Sequence, residues 1–76
     1  MSDYSNRVAA ILKTEFSIIT VNGLITYCSE KIGKSSESLN KEDMPGFSKE
    51  LLQSIFFLSD VEKADRIAQK LKKLIV

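Results

Sequence analysis

The segment Phe16–Cys28, FSIITVNGLITYC, admits two opposite local structures, and the fold class of the chain turns on which one forms. Asn22-Gly23 is the strongest short hairpin signal, because both residues accept the positive φ angles of a type I′ turn. Ile18 to Val21 precede it and Leu24 to Tyr27 follow, mostly residues that favour strands. A two-residue turn would pair Val21 with Leu24, Ile19 with Thr26 and Ser17 with Cys28. Its other face would pair Thr20 with Ile25, Ile18 with Tyr27 and Phe16 with Ser29. Both faces come out mixed, so the alternation of a half-buried strand is missing.

A helix accounts for the segment better. Ile18, Val21, Ile25, Cys28 and Ile32 follow a three-four spacing, which is one face of a helix, with Leu24 beside it. Gly33 supplies a left-handed stop, and Lys31 and Lys34 lie near the negative end of the helix dipole. The β-branched residues and a mid-helix Gly23 oppose this locally, the glycine by about 1 kcal/mol, so tertiary packing must supply the difference. A hairpin at 16–28, giving an α+β fold, is the alternative.

The rest of the chain reads as helices. A first helix is predicted over about Tyr4–Glu15, with Val8, Ile11, Leu12 and Phe16 as its stripe and Ser5 or Asp3 as its cap. Whether it runs on into the second helix or breaks near Thr14–Ser17 is left open by the residues. Lys34–Asn40 is a polar loop pinned by Leu39. Asn40 and Asp43 form a capping-box pattern ahead of Pro45, which is tolerated in a first helical turn. A third helix is predicted over Asp43–Phe57, with Met44, Phe47, Leu51, Ile55 and Leu58 as its stripe and Leu52 and Phe56 on its flank. Ser59 and Glu62 predict a capping box for a fourth helix, whose stripe is Val61, Ala64, Ile67, Ala68, Leu71, Leu74 and Ile75. The expected fold is all-α, a single bundle of three or four short helices over residues 1–76.

Chemistry is sparse. The chain has no histidine, which removes the commonest general base and metal ligand near neutral pH. Cys28, on the apolar stripe, reads as a buried inert thiol rather than a nucleophile. Glu37, Glu42 and Asp43 lack the spacing of a calcium loop, and Gly23, Gly33 and Gly46 form no phosphate-binding pattern. No enzyme activity, cofactor, metal or small-molecule substrate is expected. One cysteine leaves no disulfide framework, and the polar start carries no signal-peptide pattern. The apolar segment is too short and polar to span a bilayer, so a cytoplasmic protein is expected.

Two surface patterns bear on partners. Lys63, Arg66, Lys70 and Lys73 lie along one side of the fourth helix. They could dock an acidic partner, nucleic acid or lipid, but a solvated face with a Glu62–Arg66 pair is the preferred account. A net charge of +1, nearby Asp60, Glu62 and Asp65, and the absence of interleaved aromatics all weaken nucleic-acid binding. A helix-turn-helix is disfavoured because those acidic groups would meet phosphate.

The second pattern is an apolar surplus. Phe56, Phe57 and Leu58 come in a row, Leu74, Ile75 and Val76 close the chain, and Phe16 and Tyr27 add to them. A bundle this short does not readily bury them all, which suggests a partner or self-association surface. Closure of the core by Phe56 or Phe57 is an equally weighted alternative.

From about Val21 to Ile75 the chain resembles a small helical module of uncharacterised archaeal and bacterial proteins, sometimes attached to signalling domains. The matching residues are Gly23-Leu24-Ile25, Ile32-Gly33-Lys34, Ser38 to Pro45, and Lys70 to Leu74. The resemblance implies helix over hairpin and implies no activity. The expected function is a non-enzymatic protein–protein interaction module, self-associating or docking to a signalling partner. Contacts would come from Phe56, Phe57, Leu74, Ile75 and Val76, with the basic stripe as an addition. Weak nucleic-acid binding by Lys63, Arg66, Lys70 and Lys73 is the alternative.

Overall fold

Four α-helices and one short 3-10 helix make up the chain in a computed structural model that describes residues 2–75, with Ile75 described by its backbone alone. They are α1 (Asp3–Leu12), α2 (Ile18–Lys31), the 3-10 turn (Lys41–Asp43), α3 (Met44–Leu58) and α4 (Val61–Ile75). The segment around Asn22-Gly23 is helical, not a hairpin, and the described residues contain no strand. The burial it gains explains why: Val21, Leu24, Ile25 and Cys28 of α2 are all buried. A hairpin would have split that apolar set between two faces.

α1 and α2 are separate helices. α1 ends at Leu12, short of the expected Glu15, and residues 13–16 turn the chain. The cap of α1 is Ser2, whose Oγ accepts from the Ser5 N–H at 3.1 Å, rather than Ser5 or Asp3. Ser17 starts α2 by accepting from the Thr20 N–H at 3.4 Å. Gly33 terminates it at φ 76°, and the Lys34 N–H donates back to the Ser29 carbonyl at 2.9 Å. The Asn40–Asp43 box forms as expected. Asn40 Oδ1 accepts from the Glu42 N–H at 3.0 Å, and the Asn40 N–H donates to Asp43 Oδ2 at 3.1 Å.

One boundary differs from the capping-box expectation at the fourth helix. Asp60, not Ser59, caps α4: its Oδ1 accepts from the Lys63 N–H at 2.8 Å. The Ser59 N–H instead closes α3 by donating to the Ile55 carbonyl at 2.8 Å. The turn between the helices is therefore one residue longer on the α4 side than the box pattern requires.

The helices pack in cyclic order, α1 on α2, α2 on α3, α3 on α4 and α4 back on α1. Cys28 lies against Ser54, and Leu24 shares a groove with Phe57, so α2 and α3 run antiparallel. The ring encloses one core containing Val8, Leu12, Phe47, Leu51, Ile55, Ile67 and Leu71. Leu39 pins the loop into it, 3% exposed. The Cα radius of gyration is 10.9 Å, close to the ~11 Å of a compact chain of this length. Three residues assigned to inward stripes face out: Ile18, Leu58 and Val61 are half or more exposed. All three lie at helix ends, beyond the reach of a facing helix.

Candidate interaction face

α2 and α3 leave a groove between them, and its composition follows from which residues each helix turns outward. On α2, Ile19, Gly23 and Tyr27 are spaced four apart, so they form one row along the exposed face. Gly23 interrupts that row with bare backbone: a Cβ placed there would meet nothing within 4 Å. On α3, burial of Phe47, Leu51 and Ile55 rotates Ser54 and Phe57 toward α2 and outward. Ser54 is small, and its Oγ is occupied locally, donating to the Glu50 carbonyl at 3.0 Å.

The resulting groove measures about 530 Å³ and is open to solvent. Leu24 and Gly23 line it from α2, and Phe57 and Leu58 from α3. A second hollow of about 560 Å³ lies between Leu52, Gln53, Phe56 and Phe57. Phe57 borders both, as the ridge between two hollows. It is 88% exposed, an unusual state for a phenylalanine. Phe56, Leu58 and Tyr27 are also more than half exposed, and so are Ile19 and Val61. No charged side chain lines either hollow. Lys31 lies at the edge, its Nζ 5.8 Å from the Tyr27 ring centroid.

The site residues named from sequence separate into three groups. Phe57 lines both hollows, whereas Phe56 lines only the second, which is built from α3 residues alone. Leu74 is half-buried and packs against the core, away from the groove. The side chain of Ile75 and all of Val76 lie outside the described residues. Ile19, Gly23 and Leu58 were not among the named contacts. The i, i+4, i+8 row of Ile19, Gly23 and Tyr27 is the signal that identifies the α2 side, once the hairpin is set aside.

The basic stripe of α4 is occupied within the molecule. Arg66 grips Glu15 with two hydrogen bonds, Nε to Oε2 at 2.7 Å and Nη2 to Oε1 at 2.9 Å. The expected Glu62–Arg66 pair is replaced by this contact, 51 residues away in sequence. A planar guanidinium matched to a carboxylate in two places outcompetes a single i,i+4 contact. Lys70 Nζ donates to Thr14 Oγ1 at 3.0 Å, and Lys63 Nζ sits 5.4 Å from the Phe16 ring centroid. These three side chains clamp the α1–α2 turn, while Lys73 is exposed. The hydrogen bond from Arg66 is the main cause that holds the Glu15 carboxyl below its ordinary range, with its charge and those of Lys70 and Lys63 adding.

Cys28 is fully buried, its Sγ 3.7 Å from Ser54 Oγ, and burial pushes the thiol pKa up. Among the described residues no cluster of three or more His, Cys, Asp or Glu forms that could hold a metal. No helix among them is long and apolar enough to cross a membrane. In comparisons with known proteins, no family model, no curated protein and no solved structure matches this chain.

Proposed function

We propose that this chain is a non-enzymatic protein–protein interaction module that receives its partner on the α2–α3 face. The observation that carries this is Phe57, 88% exposed between two apolar hollows in an otherwise well-filled fold. Fully burying an aromatic side chain of this kind contributes about 1.5–3 kcal/mol. Phe57 and Tyr27, which line the same groove, would form an aromatic centre of the kind that dominates many interfaces. A cytoplasmic setting belongs to the same proposal, in keeping with a lone cysteine held as a buried thiol.

Nucleic-acid binding through the α4 stripe has less support. Arg66, Lys63 and Lys70 are directed at residues 14–16, and releasing them would loosen the α1–α2 turn.

Site-specific photocrosslinking tests the proposal in cells that naturally make the protein. A benzophenone amino acid replaces Phe57 in one version and the exposed Lys72 of α4 in another. A discrete adduct, identified by mass spectrometry, is expected from position 57 and absent from position 72. No adduct from position 57, or the same adducts from both, would refute a docking role for this face.

A further inference from the structure

We infer that residues 2–16 form a hinged strap over the seam between α2 and α4, and that this strap swings away as one unit about Ser17 while α2, α3 and α4 stay folded. The inference does not depend on the α2–α3 face. Three features carry it.

The first is where the backbone hydrogen bonds change sides. The turn after α1 is bonded to α1. The N–H of Lys13 donates to the Ala9 carbonyl at 2.9 Å and that of Thr14 to the Ile11 carbonyl at 3.2 Å. The N–H groups of Glu15 and Phe16 donate to the Leu12 carbonyl at 3.0 and 2.9 Å. Ser17 is extended, at φ −68° and ψ 159°, and belongs to α2: its carbonyl accepts from the Val21 N–H at 2.9 Å. A bend at Ser17 therefore interrupts neither helix, and α1 and its turn move together.

The second is what the strap buries. Val8 and Leu12 are its large apolar side chains that are fully buried, while Ala9 is small and Ser5 is polar. α1 packs on α2 and α4, whereas α3 packs on both of those helices. With the strap away, the α2–α3 and α3–α4 contacts remain, built around Phe47, Leu51, Ile55, Ile67 and Leu71. Segments that bury little apolar surface open as cooperative units below the global unfolding free energy.

The third is the fastening, which is polar at both ends. The Ser2 N–H, at 3.2 Å, and the Ser5 hydroxyl both donate to the Ser36 carbonyl. At the other end Arg66 holds Glu15 and Lys70 holds Thr14. This second pin is exposed, so water and salt compete with it. Opening uncovers apolar surface along α2 and α4 that the closed form hides.

Hydrogen exchange of the full chain, followed amide by amide by NMR at neutral pH, tests this. A ten-residue helix is marginal on its own in water, so undocking leaves the α1 amides free to exchange. Residues 7–16 are expected to share one opening constant, about ten-fold or more above that of the slowest α3 and α4 amides. A gradient of rates rising toward residue 3 would mean end fraying and would overturn the single unit. One constant for the strap and for the α3 core would overturn separate opening.

Two variants then label the contacts that break. Glu15→Gln loosens the closed form alone, so exchange of residues 7–16 should rise several-fold. No change there would overturn the fastening at Glu15. Asp60→Ala removes a cap that stays made when the strap is open. It should speed the slowest α3 and α4 amides about five-fold and leave residues 7–16 unchanged. An equal response of residues 7–16 to Asp60→Ala would overturn the strap, because their exchange would then require global unfolding.

Discussion

Ser59 and Asp60 are adjacent and have different tasks. The Ser59 backbone closes α3, and the Asp60 carboxylate satisfies an N–H of the first turn of α4. Asp60→Ala is therefore expected to lower stability by about 1 kcal/mol. Ser59→Ala should change it by less than about 0.5 kcal/mol. Urea denaturation of the two variants decides the matter, and the reverse order would restore Ser59 as the cap. The sequence pattern was ambiguous because both residues accept hydrogen bonds and both lie within two positions of Val61. Gly33 was not ambiguous: its φ of 76° is the left-handed stop that a glycine after an apolar stripe indicates. Gly23 could be read either way, since a turn glycine and a mid-helix glycine look alike until the flanking residues are packed.

At the scale of elements, α4 closes the ring by gripping the turn that joins α1 to α2. Arg66 is charged throughout the accessible pH range, so the contact follows the ionisation of Glu15. Glu15 is held below its usual 4.5 in the folded protein. Its contribution to stability is thus fully present above that value. It is lost as pH falls through the lower folded-state value, because the unfolded chain takes up the proton first. Thermal melts between pH 7 and pH 3 should show a wild-type Tm that drops below pH 4.5. Glu15→Gln should lower Tm at pH 7 and flatten that acid limb. A parallel acid limb in the variant would mean that Glu15 and Arg66 are not coupled in solution. Sequence spacing pointed to Glu62 as the partner of Arg66, because only neighbours along a helix are visible in a linear pattern.

The whole molecule rests on one small core, with Phe47 among its largest fully buried side chains. A core in a chain of this size supplies only about 3–5 kcal/mol, and Phe→Ala in such a position removes about 3–5 kcal/mol. Phe47→Ala should therefore be largely unfolded at 25 °C, seen as loss of the helical circular dichroism signal. Phe57→Ala, a substitution of the same type ten residues on, should keep that signal in full at low concentration. A comparable loss from both would mean that Phe57 is buried in the folded chain. The contrast marks the boundary between local and global information. By itself the amino-acid sequence favoured the all-helical class and determined the stop at Gly33, the cap at Asn40, and the inward faces through Val21, Ile25, Cys28, Met44, Phe47, Leu51, Ile55, Ile67 and Leu71. Periodicity and capping act over a few residues and are written directly in the order of side chains. Only the tertiary structure decided that Ile18, Leu58 and Val61 stay exposed, that Arg66 reaches Glu15, and that Phe57 stands beside a groove at Gly23. Spacing along a helix says which residues share a face. What lies opposite that face depends on where the other helices end.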